Sequence, residues 1–481
     1  MSVSTITNRA TNPKVAAAAT GYAAVAGTGG TATGARNTGT GYTGAAGFFR
    51  VAWTAATTAL SGGASYTQTG LPANTQYSHL LMVRSSKAQT VRLSAQYQTS
   101  AAANVGAAST GPSVALPANV WTPTLVDAAT SGAAADRVVL TAAATTGGSN
   151  WANGDTLDMG FVTIVTGPKA AQPFDGSSTN AASTMYAWTG TADASTSTAT
   201  LYTPALAVLP RPTFDPCPRV EITLTDFTPT TNNVTVWRTA DGKRQAVRGY
   251  RRKDMVSADA VIDYEAPLGR DITYEVEVLS GVNAQALAPK ATTRVNAVSG
   301  CIQDPLVPST AVPVHGDFGP NGKAYLRDTA MKQLEYAADI SMLQVLGSPD
   351  PVALLGQRMA ASGVDMSMST RAAQHATNLR NLLQQAPLVL VRPLPAWSSG
   401  LPGLCYLASG KPTELPVDEA WGGSLIRWQL VGDLVASPNM NVLVPLWTYG
   451  DVKALWGTYQ QAQTGLAGKT YLDVLKSPPG T

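Results

Sequence analysis

Thr90-Val91-Arg92-Leu93-Ser94-Ala95-Gln96-Tyr97-Gln98 alternates strictly, with Val91, Leu93, Ala95 and Tyr97 on one side of an extended chain and Arg92, Ser94 and Gln96 on the other. A period of two with one apolar and one polar face belongs to a half-buried β-strand, and such strands pack face to face in sandwiches. Working outward, Gly47 to Thr54, Tyr77 to Ser85, Arg137 to Ala142 and Leu157 to Thr166 read as further strands. Up to about residue 168 the chain is dominated by Ala, Thr, Gly and Ser with little Lys or Glu, which disfavours long surface helices and suits short strands joined by polar turns.

The 481 residues suffice for three or four domains, each with its own core. Only 13% are charged and mean hydropathy is near zero, yet no run of 18 or more apolar residues occurs, so no membrane span is expected. The opening Met1-Ser2-Val3-Ser4-Thr5 has no basic or apolar stretch of the signal-peptide kind, and the expectation is folding in a cytoplasm. Residues 1 to 200 hold nine Lys/Arg against six Asp/Glu, the remainder 24 of each, which is too little basic excess for nucleic acid. No carboxylate precedes Asp127, so the opening segment supplies neither a general acid nor side-chain carboxylates for calcium. Cys217, Cys301 and Cys405 are odd in number and widely spaced; buried free thiols are expected, with Cys217 and Cys301 at opposite poles of one domain.

A second decisive stretch is Phe174-Asp175-Gly176-Ser177-Ser178-Thr179 through Met185-Tyr186-Ala187-Trp188-Thr189-Gly190-Thr191 and Ala194-Ser195-Thr196-Ser197-Thr198. Physically it is a turn at Asp175-Gly176, a strand carrying Tyr186 and Trp188, a turn at Gly190, and a Ser/Thr run able to satisfy its own backbone. Its order of residues resembles a signature of minor tail proteins from long-tailed phages of actinobacteria. Ahead of it, Thr11-Asn12-Pro13, the strands around Phe49 and Tyr77, Trp121, and Trp151 with Gly154, Asp155 and Leu157 resemble the carbohydrate-binding-module type of jelly roll. The asparagine-rich opening with Gly-Trp usual there is here reduced to Gly21-Tyr22. A sugar site needs exposed aromatic platforms beside hydrogen-bonding groups, and the resemblance makes Trp53, Tyr77, Trp121 and Trp151 the candidates.

Prolines 204, 210, 212, 216 and 218 then suggest a stiff linker. Beyond it Val220 to Leu224, Val234 to Arg238 and Thr273 to Val278 alternate and Asp241-Gly242 is a hairpin signal, so this part reads as a small antiparallel sandwich. It is similar to fibronectin type III domains, and Asp263-Tyr264-Glu265-Ala266-Pro267-Leu268-Gly269 before Ile272 to Val276 resembles the same tail-protein family. Clear helices come only later: one capped by Ser369 or Thr370 with a stripe of Ala372, Ala376, Leu379 and Leu383, stopped by Pro387, and one starting at Thr448 with Asp451. The first leads into the buried strand Leu388 to Arg392, followed by a turn-rich loop and a strand over Gly423 to Val431. This combination, with the endings Trp447 to Val452 and Tyr471 to Leu475, resembles the β-sandwich of distal tail and related baseplate proteins.

Chemical motifs are weak by comparison. Gly39 to Gly44 spells G-x-G-x-x-G without a strand before it or a helix after it. His79, His315 and His375 fall in different predicted regions and suggest neither a metal centre nor a catalytic triad. Asp155 with Asp158, and Glu414 with Asp418 and Glu419, could serve as acid and base, but read better as turn and loop acids. Lys243, Arg244, Arg248, Arg251, Arg252 and Lys253 form the one basic cluster, read as a wet hairpin or a neighbouring-subunit contact.

The fold expected is mainly β: a jelly roll over 1–168, a strand-pairing segment over 169–203, a Pro-rich linker over 204–218, a fibronectin-III-like sandwich over 219–300, and a distal-tail-like β domain with two short helices over 301–481. The resemblances imply a structural component of a phage tail tip or baseplate, carried in the virion. Its implied partners are other tail proteins, its own copies in a ring of three or six, and a host-surface glycan, with no cofactor, no metal and no reaction. The alternative is a cell-wall polysaccharide hydrolase using Asp155 or Glu414; a cellular lectin ranks third.

Overall fold

The computed structural model describes residues 3–438 and 455–468 apart from 17, 46, 170–171, 285–287, 316–323, 328–329, 332–333, 337, 345, 347–348, 359–360, 398–399 and 418–424. The chain is a mainly β, multidomain protein that divides into two compact units, 1–203 and 204–481.

The first unit contains β1 (Val3–Asn8), β2 (Tyr22–Val25), β3 (Thr31–Asn37), β4 (Phe48–Ala55), β5 (Gly63–Thr69), β6 (Gln76–Ser85), β7 (Gln89–Gln98), β8 (Ser109–Leu116), β9 (Thr122–Thr130), β10 (Arg137–Ala144), β11 (Thr156–Thr166), β12 (Thr184–Trp188) and β13 (Ser197–Tyr202). Two five-stranded antiparallel sheets, ordered β2-β5-β10-β7-β8 and β3-β4-β11-β6-β9, form a sandwich. Their inner faces share one core: Val91, Leu93, Ala95 and Tyr97 of β7 meet Phe49, Val51 and Trp53 of β4 and Leu81 and Val83 of β6. The alternation read from Thr90 to Gln98 therefore points the expected face inward.

The Phe174 segment forms the strand and turns its residues suggest, and its hydroxyls close the second turn, Ser195 Oγ accepting from Gly190 N at 3.0 Å. The segment returns to the chain's beginning: β13 lies between β1 and β12 in a three-stranded sheet, Val3 opposite Tyr202 and Asn8 opposite Ser197. The fully buried Asn8 clips this sheet to the sandwich, donating to Phe174 O (2.9 Å) and Val162 O (3.2 Å) and accepting from Ile164 N (2.9 Å). Segment 169–203 thus belongs to the same unit as the jelly roll, its strand β13 pairing along its whole length with residues 3–8.

Inside this core His79 lies between Tyr77 and Tyr97, its Nε2 3.0 Å from the Tyr97 hydroxyl and its Nδ1 without a partner. Burial pulls its pKa from 6.5 to about 3. The unfolded chain takes up the proton near pH 6.5 while the folded chain resists it until about 3, so stability is full above pH 6.5 and declines as pH falls through that window. Near pH 4.5 the expected loss is roughly 2–3 kcal/mol. Urea midpoints of wild type and His79→Gln measured from neutral to acid pH should converge on acidification; parallel curves would contradict the assignment.

In the second unit β14 (Ala205–Arg211), β15 (Arg219–Thr225) and β19 (Asp259–Asp263) form one sheet, and β16 (Asn232–Ala240), β17 (Lys243–Ala246), β18 (Lys253–Met255), β20 (Asp271–Ser280) and β21 (Lys290–Arg294) the other. The expected linker 204–218 is corrected here: its residues 205–211 form the edge strand β14, paired with β15 throughout. Pro210, opposite Val220, is tolerated because an edge strand has one side free of ladder hydrogen bonds. Val220, Ile222 and Leu224 pack on Val234, Val236, Ile272 and Tyr274 of the facing sheet.

Residues from Gly300 build a ten-stranded sheet in the order Val364–Asp365, Val431–Val435, Cys405–Ala408, Leu388–Arg392, Gly300–Asp304, Val307–His315, Ala324–Leu326, Met368–Thr370, Ile426–Gln429 and Thr413–Pro416. Helix α1 (Ala373–Gln385) packs on it through Ala376, Leu379 and Leu382. Its N-cap is Ala372, not Ser369 or Thr370: both are drawn into a strand, and the Thr370 hydroxyl instead accepts from Trp428 Nε1 at 3.0 Å. The second helix, α2 (Tyr459–Gly465), carries a capping box of Thr458 and Gln461; the expected start at Thr448 and the endings 447–452 and 471–475 lie outside the described residues, although Leu455 and Trp456 are described.

All three cysteines are free and buried. Cys217 and Cys301 are not at opposite poles: both thiols lie against the guanidinium of the fully buried Arg392, which donates to Ala266 O (2.9 Å) and Gln303 Oε1 (3.2 Å). Burial pushes the Cys301 and Cys405 thiols up to about 12.

Candidate functional site

The outer face of the β3-β4-β11-β6-β9 sheet carries a polar and aromatic cluster built by cross-strand register. β11 runs between β4 and β6, and Asp158 stands opposite Arg50 on one side and Arg84 on the other. The three side chains point away from the core because their neighbours Val51, Val83 and Leu157 point into it. Asp158, 2% exposed, accepts from Arg50 at 2.7 and 3.0 Å and from Arg84 at 2.8 and 3.1 Å. That hydrogen bonding raises the Arg50 pKa, with burial opposing it.

Aromatic rings frame these cations. Phe48 lies 5.1 Å from the Arg50 guanidinium and 5.0 Å from that of Arg84, and Arg84 sits 4.5 Å from the Trp121 ring. A bulge in β11 after Met159 places Gly160 beneath Trp121, where a Cβ would stand 2.6 Å from the indole, so only glycine lets the ring lie down. Tyr42 meets Trp121 and Phe161 edge-on at 6.4 and 6.1 Å, and Leu80 and Met82 fill the floor. At the margin Lys14 bridges Asp175 at 2.7 Å and approaches the Phe161 ring at 5.8 Å, joining the Phe174 segment to the cluster. Gly176 is close-packed under Trp188, whose Nε1 donates to Ser177 Oγ at 3.1 Å.

Of the four residues read as sugar platforms, three are corrected. Trp53 and Trp151 stack on each other at 4.1 Å with planes 7° apart, Trp53 Nε1 donating to Ala26 O and Trp151 Nε1 to Gly62 O, at 1% and 0% exposure. Tyr77 is also at 0%. A ring with no exposed face cannot stack on a ligand. Trp121 remains, partly exposed beside two partly exposed guanidiniums. Sequence reading missed Arg50, Arg84, Tyr42 and Phe161 and took Asp158 for a turn acid, whereas it stands within β11; the available signal was Arg50 and Asp158 set inside the otherwise apolar runs Phe48 to Trp53 and Leu157 to Phe161, and Arg84 directly after Leu80 to Val83.

The carboxylates proposed for catalysis are engaged elsewhere. Asp155 closes a turn, accepting from Ala152 N (2.7 Å) and pairing with Lys87 (2.6 Å), and Glu414 pairs with Arg380. Asp418 and Glu419 lie outside the described residues. Among the described residues no three His, Cys, Asp or Glu side chains are grouped to hold a metal, and no helix is long and apolar enough to cross a membrane. His315 lies near Tyr325.

No family model matches the chain, and no curated protein matches it. Among solved structures, the CBM22-1–GH10 modules of Clostridium thermocellum xylanase 10B align at 15% identity over 33% of this chain and 28% of that one, with a TM-score of 0.26. The CBM22-1 xylan-binding domain from Paenibacillus barcinonensis Xyn10C aligns at 13% identity over 33% of this chain and 94% of that one, with a TM-score of 0.25. The enzymatically active domain of tailspike protein 4 from bacteriophage CBA120 aligns at 10% identity over 33% of this chain and 21% of that one, again with a TM-score of 0.25.

Proposed function

We propose that this chain is a structural, non-catalytic component of a phage tail tip or baseplate whose first unit binds a host-surface glycan on the face around Trp121. The observation that supports the reading is the juxtaposition of a partly exposed indole with two guanidiniums held in place by one buried carboxylate. An indole supplies an apolar platform for the C–H face of a sugar ring, and fixed guanidiniums supply donors for its hydroxyls. Because Asp158 holds both arginines, little side-chain freedom remains to be lost on binding. The tail assignment is supported by the Phe174 and Asp263 resemblances, and several copies on one particle would add weak sugar contacts into firm adsorption.

Purified protein should bind polysaccharide prepared from host envelope, and Trp121→Ala should weaken that binding about tenfold or more while the variant still unfolds cooperatively, at a lower midpoint because the indole is packed on Gly160 and the rings beside it. Undiminished binding by the variant would refute the platform. Antibody labelling of virions should decorate the tail tip, and label confined to the capsid, or absent, would refute the tail role. Sugar release from envelope that disappears in Asp155→Asn or Glu414→Gln would instead establish the hydrolase.

A further inference from the structure

A second concave site lies wholly within the second unit. A cavity of about 260 Å³ opens between the β16–β17 hairpin with its following turn, the loop after β19, the strand that carries Tyr406, and Ser437 and Pro438 just beyond the strand Val431–Val435. Three arginines, Arg238, Arg248 and Arg251, line it beside one carboxylate, Glu265. Arg238, whose side chain is 3% exposed, is pinned by both oxygens of Asp263 at 2.8 and 2.9 Å and donates to Gln245 Oε1 at 3.1 Å. Arg248, 9% exposed, is held by Glu265 at 2.6 and 2.8 Å, by Pro438 O at 2.7 Å and by Ser437 Oγ at 3.1 Å. These two cations have carboxylate counter-charges of their own.

Arg251 does not. It lines the same cavity, is exposed, and makes no ion pair among the described residues, so the wall carries one positive charge beyond what its carboxylates neutralise. Of the other cations of the hairpin, Arg244 pairs with Glu275 and lies over the Trp237 ring and Lys253 pairs with Asp259, while Lys243 and Arg252 do not line this cavity. Gln245 presents its carbonyl to Arg238, which leaves its amide N–H groups to donate elsewhere, and Tyr406 adds a ring to the lining. A rigid, charge-excess recess with side-chain donors and one aromatic wall fits an oxyanion joined to a small polar body. The volume lies just below the range of ordinary ligand pockets, roughly 300–1,000 Å³, which limits the ligand to about one sugar ring.

We propose that this cavity is a binding site for a carboxylate or phosphate group carried on a monosaccharide-sized ligand, with Arg251 as the principal anion contact and Gln245 as a hydroxyl donor. The site is independent of the Trp121 face and stands or falls separately from it.

Isothermal titration calorimetry on the full chain tests the proposal with four probes: inorganic phosphate, acetate, glucuronate and glucose. Saturable one-to-one binding is expected for phosphate or glucuronate and none for glucose, and which of the two anions binds tighter separates a phosphate source from a sugar-acid source. Arg251→Gln should weaken the binding about tenfold or more, while Arg252→Gln, the neighbouring exposed arginine outside the cavity, should change it less than about twofold. Both side chains are exposed, so both variants should keep the wild-type unfolding midpoint. No saturable binding of any anion up to about 10 mM, glucose binding as well as glucuronate, or equal weakening by the two variants would each overturn the proposal.

Discussion

Asp263→Ala is expected to destabilise the second unit by about 3–5 kcal/mol, because it leaves a buried arginine without its counter-charge. Asp263 ends β19 in one sheet of the sandwich, whereas Arg238 and Tyr274 lie on β16 and β20 in the other. Its oxygens accept twice from Arg238, once from the Tyr274 hydroxyl at 2.8 Å and once from Glu265 N at 3.0 Å, so one carboxylate ties the two sheets together inside the core. Burial alone would disfavour the charge on Arg238; Asp263, Tyr274 and Glu265 together reverse this and raise its pKa. The double variant Arg238→Met/Asp263→Leu should recover most of the loss, since an apolar pair of similar volume removes both desolvated charges at once. Urea unfolding of the three proteins measures this. A loss below about 1 kcal/mol for Asp263→Ala would mean that the carboxylate contributes packing and little else.

Trp151→Ala should produce a loss of similar size, about 3–5 kcal/mol, in the first unit. The indole is fully buried and stacked on Trp53, and its Nε1 donates to Gly62 O at 3.0 Å, so truncation creates a large cavity and strands a carbonyl. The cost of Trp53→Ala should not simply add to it, because each removes the same stacking contact; a coupling of about 0.5–1.5 kcal/mol is expected from the double-mutant cycle. Hydrogen exchange should localise the loosening to β4, β5 and the turn before β11. If Trp151→Ala abolished glycan binding without any loss of stability, the core assignment would be untenable.

The candidate site was harder to read than the fold. Alternation along β4 correctly sorts Phe49, Val51 and Trp53 from Phe48 and Arg50, but it does not state which side is buried, and aromatic residues occur on both. Trp53, Tyr77 and Trp151 drew attention as large rings in a β domain; they are large because the space between two five-stranded sheets needs filling. Arg50, Asp158 and Arg84 are 34 and 74 residues or more apart along the chain in pairs, and nothing in spacing announces that β11 runs between β4 and β6. The same limit hid the edge strand at Pro210, since a proline-rich run looks alike whether it pairs on one side or on neither.

By itself the sequence determined that this chain is β-rich, where most of the long strands begin and end, that the Phe174 segment is a strand between two turns, and that Pro387 stops a helix; these follow from local sterics and a period of two, which neighbours along the chain express. Tertiary structure alone decided that Asn8 and β13 close the first unit, that Trp121 is the one candidate platform left at a surface, that Arg392 gathers Cys217 and Cys301, and that Arg251 opens on a recess. Those outcomes depend on which strands become neighbours, and strand pairing is a contest among the distant segments of the whole chain, settled by burial and hydrogen bonding that no local window contains.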